Sequence, residues 1–180
     1  MRYKSWYDRA KKKDELKQGD LIESLPIPIF PRIVEKTEKP IKIPVQEHNI
    51  IVMSQSCDIR KKKFTNIVVC NYQTLEEFSK EYTNLKGNED KQKLLQGYST
   101  GFHMIQALNT VNFKKKNYLV VNFREIFIID KSYLKGHIMK RGTVRYRLRS
   151  PYLERLSQDF GRFFMRVGVT ETIPPFVKES

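Results

Sequence analysis

Two four-residue runs, Ile50-Ile51-Val52-Met53 and Ile67-Val68-Val69-Cys70, constrain the fold of this chain more than any other feature. β-branched stretches of this length, bounded by polar and charged residues, read as buried strands. Between the two runs the chain passes through Ser54-Gln55-Ser56-Cys57-Asp58-Ile59-Arg60 and then Lys61, Lys62 and Lys63. A polar strand end opening into a basic turn is the first candidate for a site.

Upstream, Pro26, Pro28, Pro31, Pro40 and Pro44 remove backbone donors, so residues 25–47 read as a long connection without regular helix or central strand. Before them, Gly19 and Asp20 precede the apolar pair Leu21 and Ile22, where a first strand is expected. Downstream, Thr74-Leu75-Glu76-Glu77 has capping-box spacing and predicts a short helix through Tyr82. Residues 84–97, with Leu94 and Leu95 ahead of Gly97, fit either a second short helix or an irregular insertion. Phe102 to Leu108, Tyr118 to Asn122 and Ile126 to Ile129 read as further strands. Ser150 and Pro151 match the residue types that open a helix, and Leu153, Leu156, Phe160, Phe163 or Phe164, and Val167 continue at helical spacing. Gly161 costs this helix roughly 1 kcal/mol of propensity relative to alanine, and close packing against a sheet would account for it.

With 180 residues, eleven Phe and nine Tyr, the chain can bury one core, and no apolar run approaches the about 18 residues of a membrane span. The expected organisation is a mobile basic arm over 1–17, a single domain over 18–169 and an extended tail over 170–180. The amino terminus lacks the apolar stretch of a secretory signal, so a soluble, cytoplasmic protein is expected. Two cysteines, Cys57 and Cys70, form no CxxC pair, and His48, His103 and His137 have no zinc-site spacing. Neither a phosphate-cradling GxxxxGKS-type loop nor GxGxxG occurs, and no cofactor or metal is expected.

The net charge of +14 attracts phosphate backbones, and by the same field a membrane surface or an acidic protein. Nucleic acid, RNA or DNA, is the preferred partner, and a membrane is not expected. Val144, Tyr146 and Leu148 alternate with Arg145, Arg147 and Arg149. On an extended backbone the three guanidinium groups share one face about 6.6 Å apart and form a solvent-facing comb suited to bidentate phosphate contacts. Arg155, on the following helix, and Lys61, Lys62 and Lys63 extend that field, as do Lys11–Lys13 and Lys114–Lys116. Tyr152 is placed to stack on an unpaired base.

For a metal-independent ribonuclease, Asp58 or His103 would take the attacking hydroxyl proton and Arg60 would stabilise charge on phosphorus. The structural alternative is that Asp58 caps a turn, Cys57 packs inward, and Ser54 and Gln55 satisfy nearby backbone groups. A third reading is a non-catalytic protein-interaction module.

The order Gly19-Asp20, Ile51-Val52-Met53-Ser54, Ile67-Val68-Val69-Cys70 resembles the MazF/PemK-type toxins. The resemblance implies a compact SH3-like barrel, cleavage of single-stranded RNA without a required metal, and commonly a dimer. The family uses an arginine near the start of the strand corresponding to Ile50–Ser54. Here His48 and Asn49 occupy that approach. Ser54 to Asp58 and Arg149-Ser150-Pro151-Tyr152 are also similar to features of bacterial and mobile-element proteins, a similarity that carries no chemistry; the basic faces without a decisive catalytic constellation point to an interaction module in a toxin–antitoxin or phage-defence assembly. Together these readings predict an α+β chain: a β-rich, partly open SH3-like barrel with a short inserted helical region and a C-terminal helix. It would contact phosphates through a basic strand and loops, alone, as a homodimer or with a protein partner.

Overall fold

The computed structural model describes residues 6–30, 42–82, 87–97, 99–106, 118–142 and 144–165. Seven strands are present among them: β1 (Tyr7–Ala10), β2 (Asp20–Pro28), β3 (Val45–Val52), β4 (Asn66–Thr74), β5 (Phe102–Ile105), β6 (Leu119–Asp130) and β7 (Arg145–Leu148). Five helices accompany them: α1 (Ser56–Ile59), α2 (Leu75–Glu81), α3 (Asn88–Gln96), α4 (Lys131–Arg141) and α5 (Tyr152–Phe164). The strands form one antiparallel sheet in the order β1-β7-β2-β3-β4-β6-β5.

This sheet is open, which corrects the expected SH3-like barrel and with it the resemblance to MazF/PemK-type toxins. No ladder joins β1 to β5 among the described residues. The Tyr7 hydroxyl donates to the Gln106 carbonyl across the two edges, a side-chain bond and not a ladder. A small barrel closes its sheet around a single interior. Here each face carries its own core. Leu21, Ile51, Met53, Cys70, Tyr72, Val121, Phe123 and Leu148 pack on one face with Leu156 of α5. Ile22, Leu25, Ile50, Val52, Ile67 and Val69 pack on the other with Ile59 of α1 and Leu134 and Ile138 of α4. Consecutive residues of one strand therefore belong to different cores, and apolar continuity in β3 and β4 follows from double-sided burial. A third cluster, Phe78, Leu94, Phe102, Met104 and Val120, seats α2 and α3 on β5 and β6.

Local chemistry places these elements. The Thr74 hydroxyl accepts from the Glu77 N–H while the Glu77 carboxylate accepts from the Thr74 N–H, completing the capping box of α2. Residues 88–96 take the helical alternative and end on Gly97 in the left-handed conformation. The α5 helix starts after Pro151 without a side-chain cap, so Ser150 does not serve as one. Space around Gly161 is open, so close packing does not account for that glycine. Gly19 is different. Its φ is +80°, and a Cβ there would lie 2.9 Å from Leu153 Cδ1. Its backbone ties β3 to β7, the Gly19 N–H donating to the Val52 carbonyl at 2.8 Å and the Leu148 N–H donating to the Gly19 carbonyl at 2.9 Å.

Two segments depart from expectation. Pro26 and Pro28 lie inside β2, in the part that pairs with β3 but not with β7, where a missing donor breaks no second ladder. A register shift between Ile22 and Leu25 marks where β2 leaves β7, with Ser24 at φ 49° donating its N–H to Asn49 Oδ1 at 3.0 Å. Residues 7–10, assigned above to a mobile arm, form β1 and pair with β7 from Tyr7↔Leu148 to Ala10↔Arg145. The tail over 170–180, Lys114–Lys116 and Val167 lie outside the described residues.

Candidate functional site

The arginine comb does not face solvent. β7 lies inside the sheet, between β1 and β2, and the segment from Lys11 to Asp20 crosses the face that would have been open. Arg145 is 5% exposed. Its Nε donates to Asp20 Oδ2 at 3.3 Å, and its terminal nitrogens donate to the Lys11 carbonyl at 3.2 Å and the Asp14 carbonyl at 2.9 Å. Arg147 donates to both Asp20 oxygens, at 2.5 and 3.0 Å, and to the Glu15 carbonyl at 2.7 Å. Asp20 itself is fully buried. Arg149, half-buried, pairs with Asp8 at 3.5 Å. Arg145 and Arg147 form a clasp that fastens residues 11–20 to the sheet, with their guanidinium donors spent on protein acceptors, while the Arg149 side chain stays partly exposed beside Asp8.

Tyr152 is likewise engaged: its ring stacks on Trp6 with centroids 3.8 Å apart and planes 9° from parallel. Arg155 is exposed and donates to the Leu95 carbonyl at 3.3 Å.

Asp58, Arg60 and His103 are not brought together. His103, on β5, is buried and bonds through Nδ1 to Asp159 Oδ2 of α5 at 2.7 Å, with its ring stacked on Phe123. Asp58 and Arg60 lie in and just after α1, whose Ile59 packs on the opposite face of the sheet from α5. Asp58 is paired with Lys61 at 2.6 Å, and that bond raises the Lys61 pKa. Around them, Ser54 Oγ accepts from the Val68 N–H at 2.9 Å and Ser56 Oγ accepts from the Gln18 N–H at 3.1 Å. The hydroxyls of the junction thus serve the backbone. Cys57 is exposed rather than packed inward. Cys70 is buried, which pushes its thiol pKa up to about 12. Among the described residues no group of three or more His, Cys, Asp or Glu is placed to hold a metal ion.

Basic side chains do converge elsewhere. A cleft of about 320 Å³ is lined by Glu15, Leu16, Ile59, Arg60, Lys62, Lys131 and Lys135. A second, of about 200 Å³, shares Glu15, Leu16 and Lys135 with it and adds Lys12, Lys13 and Asp14. Three chain segments meet there: the 11–17 stretch, the turn after α1, and α4. Asp130 caps α4, accepting from the Ser132 and Tyr133 N–H groups at 2.8 and 3.0 Å; a bond from the Ser132 hydroxyl, followed by these backbone bonds, lowers its pKa. Lys131 Nζ donates to the carbonyls of Ile59 and Lys61 at 3.2 and 2.9 Å, which fixes its charge at the cleft wall. Lys135 follows four residues later on the same helix face. Of the expected binding residues, Lys62 lines this cleft, Lys61 is paired with Asp58, and Lys63 is exposed.

The basic clefts are separated in charge from a wider groove of about 600 Å³ whose lining includes Glu47, Glu77, Glu81 and Glu125 and neither lysine nor arginine. Lys131 and Lys135 were missed at the sequence level. The signal was present in Asp130 followed by Leu134 and Ile138, a helix cap with apolar residues at helical spacing.

No helix among the described residues is long and apolar enough to cross a membrane. Compared with known proteins, the sequence matches no family model and no curated protein.

Proposed function

We propose that this chain binds nucleic acid through phosphate contacts made at the twin basic clefts between residues 11–17, the turn after α1, and α4. The observation that carries the reading is the meeting of Lys12, Lys13, Arg60, Lys62, Lys131 and Lys135, from three separate segments, around shared walls. Each lysine cluster taken alone is a solvated turn; together they create a focused positive potential in a concave surface. Arg60 supplies a planar donor fork and the lysines supply point charges, a combination suited to a backbone rather than to base edges. The net charge of +14 adds long-range attraction at low salt.

The test is the affinity for labelled single-stranded RNA, single-stranded DNA and duplex DNA over a salt series. The six cleft cations, Lys12, Lys13, Arg60, Lys62, Lys131 and Lys135, predict a log–log salt slope of about −4 on single strands. Lys62→Glu combined with Lys135→Glu is expected to weaken binding more than tenfold, whereas Lys80→Glu, at an exposed position on α2, leaves it nearly unchanged. Absence of binding, or binding indifferent to the paired cleft substitutions in a folded protein, overturns the proposal.

A further inference from the structure

The two basic clefts meet at a wall that carries an acid. Glu15 and Leu16 line both of them, together with Lys135. Leu16 is buried in one core with Ile59, Leu134 and Ile138, which anchors the wall from beneath. The Glu15 backbone is held as well, its carbonyl accepting from Arg147 at 2.7 Å and from Arg145 at 3.4 Å. Its side chain is exposed, and among the described residues the Glu15 carboxylate forms no hydrogen bond or ion pair, although Arg60, Lys62 and Lys135 line the same cleft. The clasp thus presents an unneutralised carboxylate from a fixed backbone between two cationic hollows. Asp14, the other acid of the second cleft, differs: its Oδ2 accepts from the Lys11 N–H at 2.7 Å and serves the turn. The cations around Glu15 are also without carboxylate partners. Arg60, Lys62, Lys135, Lys12 and Lys13 form no ion pair among the described residues, whereas Lys131 gives its ammonium to the Ile59 and Lys61 carbonyls.

A carboxylate set among phosphate-binding cations weakens their pull on every phosphate nearby. It gains a use where the ligand offers a hydrogen-bond donor between two phosphates. In a nucleic-acid strand the group between consecutive phosphates is a sugar, and the donor such a sugar can carry is the ribose 2′-hydroxyl. No aromatic side chain lines either cleft, so a base finds no stacking platform there and the sugar–phosphate chain is what the walls meet. We propose, building on the phosphate-binding reading above, that the clefts take RNA in preference to DNA: successive phosphates of one strand occupy the two clefts, and Glu15 accepts a hydrogen bond from the 2′-hydroxyl of the sugar between them. Deoxyribose brings only carbon and hydrogen to that place, and the carboxylate then faces two phosphates with nothing to offset the repulsion. Affinity comes from the cations, and Glu15 sets the choice of sugar.

The experiment is fluorescence anisotropy with one single-stranded sequence in three chemistries, ribose, 2′-deoxyribose and 2′-fluororibose, at one salt concentration. The fluoro sugar keeps an RNA-like pucker but cannot donate. The wild type is expected to bind the ribose strand about tenfold or more tighter than either of the others, the scale of one hydrogen bond to a charged acceptor. Glu15→Ala is expected to abolish that difference and to bind the deoxy strand more tightly than the wild type does. Glu15→Gln, which keeps a neutral acceptor, is expected to retain part of the ribose preference. Both substitutions leave the Glu15 carbonyl, through which the clasp holds this segment, and circular dichroism checks the fold of each. Equal affinity of the wild type for the three strands, a fluoro strand held as tightly as the ribose strand, or a preference that survives Glu15→Ala would overturn this inference and leave phosphate binding standing. Absence of binding to all three strands would overturn both.

Discussion

Replacing Asp20 with asparagine removes the one carboxylate that both Arg145 and Arg147 share, and the structure sets the scale of the loss. Asp20 is fully buried and Arg145 is 5% exposed, so the charges are largely withheld from water. Asp20 accepts three guanidinium bonds, at 2.5, 3.0 and 3.3 Å, together with the Lys17 N–H at 3.1 Å. An asparagine amide turns two hydrogens toward cationic donors on one side. Arg145 keeps its bonds to the Lys11 and Asp14 carbonyls but loses its countercharge. Breaking a buried pair by removing one partner costs about 3–5 kcal/mol. At about 2–4 °C per kcal/mol for a chain of this size, Tm should fall by roughly 6–20 °C. Urea and thermal denaturation followed by circular dichroism measure it. Arg149→Ala is the internal control: its partner Asp8 is exposed, and the change should cost less than about 1 kcal/mol. Equal, small effects at Asp20 and Arg149 would refute the clasp and restore the comb as a solvated face.

Thr74→Ala should cost about 1 kcal/mol in urea denaturation, because it removes the hydroxyl that accepts from the Glu77 N–H and donates to the Glu77 carboxylate, leaving only the backbone half of the capping box of α2. Gly161→Ala should stabilise the protein by about 0.5–1 kcal/mol in the same assay, since the added methyl meets open space within α5. Alkaline pH should destabilise the fold. Burial holds the folded Cys70 thiol near a pKa of about 12 against an ordinary 9.0, so the unfolded chain loses its proton first. The stability this group contributes is complete below pH 9 and disappears as pH rises toward 12. The limiting slope is about 1.4 kcal/mol per pH unit for each such group, and Cys70→Val should flatten it in urea melts at pH 8 to 11. Burial raises the pKa values of Tyr7 and Tyr72 as well, and both steepen the decline. A thiol reagent at neutral pH should titrate one cysteine, Cys57, in the folded protein and two in denaturant.

Local chemistry was legible in the amino-acid order. The β-branched runs at 50–53 and 67–70 lie in or end β3 and β4, the Thr74–Glu77 spacing marks α2, and the apolar rhythm from Leu153 marks α5, because each of these signals acts over a few residues. The alternation of arginines likewise marks β7 as a strand, but alternation alone does not say whether either face is free. An arginine face meets water only if its strand leaves that face uncovered, and the pairing of β7 with both β1 and β2, under the crossing 11–20 segment, is a choice made by residues more than a hundred positions away. For the same reason no short motif announced the twin clefts. Lys12, Lys62 and Lys135 come to line adjoining clefts only where long-range packing on the Ile59–Leu134 side of the sheet sets their segments side by side. Strand and helix propensities are written locally, whereas exposure, charge partners and proximity are properties of the assembled sheet.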